Sequence, residues 1–521
     1  MTIRQTNDIT INETLQNKKF KTKHPPGLYM LFFTEMWERF SYYGMRALLV
    51  LYLTTKFVQG GLGVSDATAT SLYGTFTSLV YLTPIAGGYI SDRYLGQRKA
   101  ITIGGIIMAI GQLTLFSSQS MTALYNGTFT SLVYLTPIAG GYISDRYLGQ
   151  RKAITIGGII MAIGQLTLFS SQSMTALYIG LFLLIIGNGF FKPNISTLVG
   201  HLYPDGDKRR DSAFTIFYMG INLGSFFAPL ICGTLAETVM ATTKAGQIIH
   251  YGFRYGFLVA GVGMIIGQII FNSLSNKFLG DIGKVPVTKI KTGTNAENKN
   301  RPLTRQEKNR TIVICILAAF VIIFWTGYEQ AGSSFTLYTQ NFLNRNVGSF
   351  EVPVSWFQSL NPLFILILGI PMSKLWLKLA SSKNGDLSIP TKMALGLILL
   401  GLGFLLMVGA VMQRGGNSTD TAIKASMLWM VGAYFFHTIG ELCLSPVGLS
   451  MVSSLAPAKF ASLLMGVWML SNFVANKLAG IVAGYTETLG HLQIFGGIAV
   501  IAILIGLVLL ALNKKLEKMM E

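Results

Sequence analysis

The sequence predicts an all-α integral membrane protein, and three observations carry that reading. Hydrophobic residues make up 51% of the 521-residue chain and charged residues only 12%, too little charge to cover a soluble domain of that length. The apolar residues gather into long runs, and roughly 20 helical residues cross about 30 Å of hydrocarbon. A few ionisable residues interrupt those runs at helical spacing, where they must face a cavity or one another.

The expected spans follow in chain order. The first six are Leu28–Leu51, Ser71–Ile90, Ile101–Phe116, Leu124–Ile143, Ile154–Phe169 and Leu177–Leu198. Next come Phe214–Leu235, Phe253–Leu274, Thr311–Tyr338 and Trp356–Leu377. Met393–Val411, Met427–Ser450, Phe460–Ala483 and Ile494–Leu512 complete the set. Each must be helical, because lipid offers no hydrogen-bond partner to an open backbone.

Lys and Arg set the orientation. They concentrate in the tail 1–26, the loops Asp92–Lys99 and Lys208–Arg210, the segment 276–310, the stretch Lys374–Lys392 and the end 513–521. Gly60–Thr70 and Gly415–Thr421 hold few. The basic side is expected to be cytoplasmic, with both termini inside a cell (inner) membrane. The chain divides into two helical halves, 27–275 and 311–512, joined by the cytoplasmic linker 276–310. The first residues lack the apolar core of a cleaved signal peptide, so the first helix is expected to act as the targeting element.

Composition also excludes function classes. The net charge of +19 invites a nucleic-acid reading, but the basic residues are scattered among short loops and act as topology signals. Cys232, Cys315 and Cys443 fall inside apolar runs, and no Cys or His pair has ligand spacing, so neither a disulfide framework nor a metal or cofactor site is expected. No nucleophile–base constellation suggests an enzyme.

Gly74–Tyr125 recurs residue for residue as Gly127–Tyr178. Repeats that built a fold long ago keep only weak similarity, so identity that extends through loop positions marks a recent event. Each copy holds two spans and a basic loop, and an even number of added spans preserves downstream orientation. Without one copy the count falls from about fourteen to about twelve, which makes two six-helix halves plus an extra pair at the lipid-facing edge. The loop around Val58–Thr70 offers a longer tether than the short link after Phe169, so Leu124–Phe169 is expected in the bundle and Ser71–Phe116 displaced; a mixed bundle with one helix from each copy preserves orientation equally well and is the alternative.

The first span carries Glu35, Glu38, Arg39, Tyr42 and Arg46 at three- and four-residue steps, one polar stripe on a helix. Lys192, Asn222, Glu329 and Glu441 lie in other spans. A salt-bridged packing seam is the competing reading, although small residues would make a cheaper seam. Together these residues bring both signs of charge from both halves, which suits a zwitterion with a free amine and a free carboxylate. A proton can compete for the same carboxylates, which offers coupling to a gradient. Tyr42, Tyr43 and Trp468 share helix faces with polar groups, Trp468 with Ser471 and Asn472.

At these residues the chain resembles the proton-dependent oligopeptide transporter family, within the major facilitator superfamily. The matching stretches are Glu-x-x-Glu-Arg-Phe-x-Tyr-Tyr-Gly from Glu35, Gly-Gly-Tyr-Ile-Ser-Asp-Arg-Tyr-Leu-Gly from Gly87 and Phe-Lys-Pro-Asn from Phe191. Phe-Tyr-x-x-Ile-Asn-x-Gly-Ser from Phe217, Trp356 to Pro362, and Gly440-Glu441-Leu also match. The resemblance implies a major facilitator-type bundle that imports di- and tripeptides with protons by alternating access, as a monomer without cofactor. It implies that Arg39 and Lys192 hold the peptide carboxylate, and Glu441 the amino terminus with Asn222 and Asn361 beside it. Glu35, Glu38, Arg46 and Glu329 would couple the proton. Tyr42, Tyr43, Trp468, Ser471 and either Tyr81 or its copy Tyr134 would shape the pocket. Gly74 and Gly127 stand where animal members carry a histidine, so coupling must rest on carboxylates. A carrier of nitrate or another anion, and a membrane protein inactivated by the duplication, are the alternatives.

Overall fold

The computed structural model describes residues 24–90, 150–170, 173–204, 207, 209–244, 247–284, 303–382, 385–418, 420–457 and 461–520. The expected spans Ile101–Phe116 and Leu124–Ile143 lie outside these residues, as do both copies of the loop that follows Ile90 or Ile143.

Before the linker the described helices are α1 (Pro26–Thr54), α2 (Asp66–Ile90), α3 (Gln150–Ser170), α4 (Met174–His201), α5 (Arg209–Thr234) and α6 (Phe253–Leu279). After it come α7 (Arg305–Tyr328), the short α8 (Ser334–Phe342), α9 (Leu360–Ala380), α10 (Ile389–Gln413), α11 (Leu428–Leu455), α12 (Ala461–Gly484), the one-turn α13 (Thr486–Leu489) and α14 (His491–Met520). Local signals set several starts. Thr304 and Glu307 form a reciprocal capping box at α7. Ser173 and Ser388 cap α4 and α10. Short paired strands, such as Thr242–Lys244 with Gln247–His250, occupy the connections on the side opposite the linker.

Two hydrophobic cores form. One is built mainly from α1–α6 and the other from α7–α14, as two halves require. Outward faces are apolar and exposed: on α9, Ile367, Ile370 and Leu377 are all more than half exposed. That surface suits lipid and not water. On the linker side, His24 meets Tyr203, Arg151 at the start of α3 binds the carbonyls of Gly280 and Ile282 after α6, and Arg310 reaches the Met520 carbonyl.

Two expectations are corrected. First, the bundle takes one helix from each copy of the repeat. α2 comes from the first copy and packs along α12, while α3 comes from the second and packs on α4 and α6. Ser71–Ile90 is therefore not displaced, and of Leu124–Phe169 only the second span lies in the described bundle. The physical reason is at the junctions. α2 follows its own predecessor α1, and α3 runs through a short link into its own successor α4. Each contact surface is also built around glycine. A Cβ on Gly74 would stand 2.6 Å from the Gly480 Cα, and one on Gly158 would strike Gln268. Second, Thr311–Tyr338 is not one helix. It breaks after Tyr328 into a 3-10 turn, Glu329–Gly332, before α8 begins at Ser334. The break falls on a buried polar run, Glu329, Gln330, Ser333 and Ser334, whose side chains find partners nearby.

Candidate substrate cavity

The polar stripe of α1 faces inward. Glu35 and Glu38 are fully buried, and burial of charge is tolerable only with partners. Arg39 provides them: its Nη2 donates to Glu38 at 2.7 Å, its Nε pairs with the same carboxylate, and Glu35 lies 3.5 Å away. Asn188 of α4 donates to Glu38 at 3.4 Å. Two turns on, Arg46 crosses between the halves. It pairs with Glu329 and donates to the Tyr73 hydroxyl of α2. The break after Tyr328 is what brings Glu329 to this position, and Gly332 leaves room for the Tyr73 ring, since a Cβ there would lie 1.7 Å from its hydroxyl.

In the second half Glu441 of α11 accepts hydrogen bonds from Tyr328 at 2.6 Å and Asn361 at 2.9 Å. Asn361 sits at the start of α9, and its amide also reaches Thr438 at 3.1 Å. Glu441 keeps acceptor capacity for a further donor, because a carboxylate offers about four lone-pair directions.

Arg39, Arg46, Asn188, Tyr328, Glu329, Asn361 and Glu441 line a cavity of about 530 Å³ between the halves, within the range of small-molecule sites. Arg39 and Arg46 contribute cations from α1, and Glu329 and Glu441 contribute carboxylates from the second half. Tyr42, Tyr43, Asn222, Asn361 and Trp468 all line it. Glu35 and Glu38 sit behind Arg39 and do not face the cavity.

Ser471 is corrected: its hydroxyl turns back to the Trp468 carbonyl at 2.6 Å, and Asn472 faces the cavity in its place. Helical rotation by one residue, about 100°, separates the two. Tyr81 falls on α2 and Lys192 on α4, but their side chains lie outside the described residues, as does Tyr134 entirely.

The family model described as POT family matches residues 151–301 and 285–501. The chain belongs to the POT family. Among relatives, it is 34% identical to "Uncharacterized transporter YclF" of Bacillus subtilis, covering 96% of this chain and 95% of that one. It is 30% identical to "Peptide transporter YePEPT" of Yersinia enterocolitica, covering 89% and 88%. A crystal structure of a peptide transporter POT in complex with sulfate matches at 30% identity and TM-score 0.75, covering 96% of each chain. A POT family transporter in complex with 5-aminolevulinic acid matches at 28% identity and TM-score 0.74, covering 96% of this chain and 98% of that one. As a POT family member the chain is a multi-pass membrane transporter with the major facilitator fold, not an enzyme.

Within this POT family chain, sequence reading missed two tyrosines that complete the charged groups. Tyr328 lies inside the expected span Thr311–Tyr338 with nothing in its pattern to single it out, yet it is the donor to Glu441. Tyr73 stands one residue before the repeat begins, and the position aligned with it in the second copy is Asn126. That mismatch at the repeat boundary was the signal available. Gly74 also gains a reason. The α2–α12 contact has no space for any side chain there, still less an imidazole.

Proposed function

We propose that the chain is a proton-coupled symporter that imports di- and tripeptides by alternating access. The single observation that carries this reading is the cavity, which presents guanidinium groups from one half and a hydrogen-bonded carboxylate, Glu441, from the other. A short peptide has a carboxylate and an ammonium that match those two poles. Arg39, with Lys192, takes the carboxylate; Glu441, held by Tyr328 and Asn361, takes the amine. Tyr42, Tyr43, Asn222 and Trp468 bound the space between. The names of relatives support the substrate class: one is a peptide transporter, and a Lactococcus lactis relative is a di-/tripeptide transporter.

Coupling follows from the Arg46–Glu329 pair. It ties α1 to the turn after α7, so it ties the halves together. A proton on Glu329 removes the charge that holds Arg46 and releases that tie, and a buried pair broken in this way favours rearrangement strongly. Glu35 and Glu38 hold Arg39 and exchange it with the peptide carboxylate. The basic linker side is cytoplasmic, with both termini inside, by the distribution of Lys and Arg. The fourteen-span topology, with Ile101–Phe116 and Leu124–Ile143 as an additional pair, belongs to the same proposal, because an even addition leaves that orientation intact.

Binding to the purified chain tests the substrate class. Dialanine should bind, blocking either terminus should weaken it by roughly tenfold or more, and nitrate should not compete. Nitrate binding with no dialanine binding would support the anion-carrier reading instead.

A further inference from the structure

Glu237 is a buried carboxylate that the site described above does not use. It lies in the turn Leu235–Val239 that ends α5, on the side opposite the linker, and is 6% exposed. Its two oxygens reach across to the other half. Oε2 accepts from the backbone N–H of Val354 at 2.7 Å, and Oε1 from that of Ser355 at 3.0 Å. Those two groups open the 3-10 turn Val354–Ser359, whose own preceding residue, Pro353, supplies no side-chain cap. The first N–H groups of a helical segment need an outside acceptor, and here the acceptor comes from the opposite half of the molecule.

The surrounding contacts share this arrangement. The Trp356 indole donates to Thr234 at 3.0 Å, and the Ser359 hydroxyl to the Phe226 carbonyl at 2.8 Å. A Cβ on Gly233 would lie 1.7 Å from the Ser355 hydroxyl oxygen, so the backbone approach is close. The turn then runs without interruption into α9, whose second residue is Asn361, the partner of Glu441.

We propose that Glu237 is a positioning residue of the transport site. Its carboxylate caps the turn that opens α9, which sets Asn361 against Glu441, and the same bonds latch the halves shut on the side opposite the linker. Closure on that side is thus made at two separate places, by Arg46 with Glu329 and by Glu237 with the α9 turn. Opening toward that side breaks the cap and loosens Asn361, so gate and binding site change together. This inference rests on the alternating-access reading above.

The test uses the full chain in lipid nanodiscs, with Cys232, Cys315 and Cys443 replaced by serine. Spin labels are placed at Thr243→Cys and Asp420→Cys, both exposed and both in connections on the side opposite the linker. Glu237→Gln keeps one acceptor and turns the other into a donor facing an N–H. The long-distance, open population should rise roughly tenfold relative to the parent, as expected for loss of a charge-assisted hydrogen bond. Dialanine affinity should fall as well, and Glu237→Gln should cause no further fall in an Asn361→Ala background, since the two act through one path. An unchanged distance distribution would overturn the latch, and full additivity with Asn361→Ala would overturn the positioning role. Where the Gln variant does not fold, Glu237→Asp, too short to reach both groups, carries the same comparison. If the parent binds no dipeptide, the peptide reading fails, while the distance distribution still decides the latch.

Discussion

Gly74 of α2 and Gly480 of α12 bring two backbones from opposite halves into contact: a Cβ on Gly74 would lie 2.6 Å from the Gly480 Cα, and one on Gly480 2.6 Å from the Thr70 carbonyl oxygen. Gly74 is the first residue of the repeat's first copy, so this contact belongs to the copy's first helix. Gly74→Leu should therefore reduce uptake by roughly tenfold or more, because overpacking a tight contact costs about 1–3 kcal/mol. The same change at the equivalent Gly127 should do little. For α3 the order reverses: Gly158→Leu should impair and Gly105→Leu should not. Paired uptake and thermal-stability measurements on the four variants check this. Impairment by Gly127→Leu with a silent Gly74→Leu would return the whole second copy to the bundle.

Tyr73 supplies a second test of the same assignment, this time through the site. Its hydroxyl accepts from Arg46, a hydrogen bond to a charged group that contributes about 1.5–3 kcal/mol. Tyr73→Phe should slow proton-driven accumulation by roughly tenfold while leaving the chain folded. Asn126→Tyr, at the aligned position of the second copy, should leave accumulation unchanged. Measured rates for both variants at one pH gradient decide the point.

Glu329→Gln should abolish acid-stimulated accumulation and spare dipeptide exchange. Exchange needs binding and movement without net proton passage, whereas accumulation, under the proposed coupling, runs through Glu329, the partner of Arg46. Comparing counterflow with gradient-driven uptake in the same vesicles separates the two. Equal accumulation by variant and parent would remove Glu329 from the coupling mechanism.

Glu441→Ala should weaken dipeptides with a free amine by about one to two decades, the range for a charge-assisted hydrogen bond. A peptide with a blocked amine should lose little more. Tyr328→Phe should give a smaller loss in the same direction, since it removes one of the two donors that aim Glu441. Competition binding with free and N-acetylated dialanine provides the readout.

Much of this was legible in the sequence because the membrane leaves few options. Apolar runs mark most of the described helices, and the cost of charge in lipid singles out Arg39, Arg46, Glu329 and Glu441 from sequence alone. What escaped reading had a common cause. The repeat makes Gly74 and Gly127 locally identical, so only the junctions with α1 and α4 decide which helix enters the bundle. Ser471 and Asn472 are neighbours, and hydrophobic pattern does not set helix rotation finely enough to choose between them. The break after Tyr328 falls on a buried polar run whose partners, Arg46 for Glu329 and the Ala479 carbonyl for Gln330, are far away in sequence. Glu237 stands just past the expected span end at Leu235, where an acid reads as an ordinary solvated loop residue, and its role depends on backbone groups of Val354 and Ser355 in the other half.

The central claim is proton-driven import of short peptides, and uptake by the purified chain in sealed vesicles tests it most directly. With acid outside and neutral buffer within, labelled dialanine should accumulate above its external concentration. Accumulation should collapse on adding a protonophore, and unlabelled di- and tripeptides should compete while nitrate does not. Accumulation that ignores the protonophore, or uptake of nitrate in place of dialanine, would contradict the account.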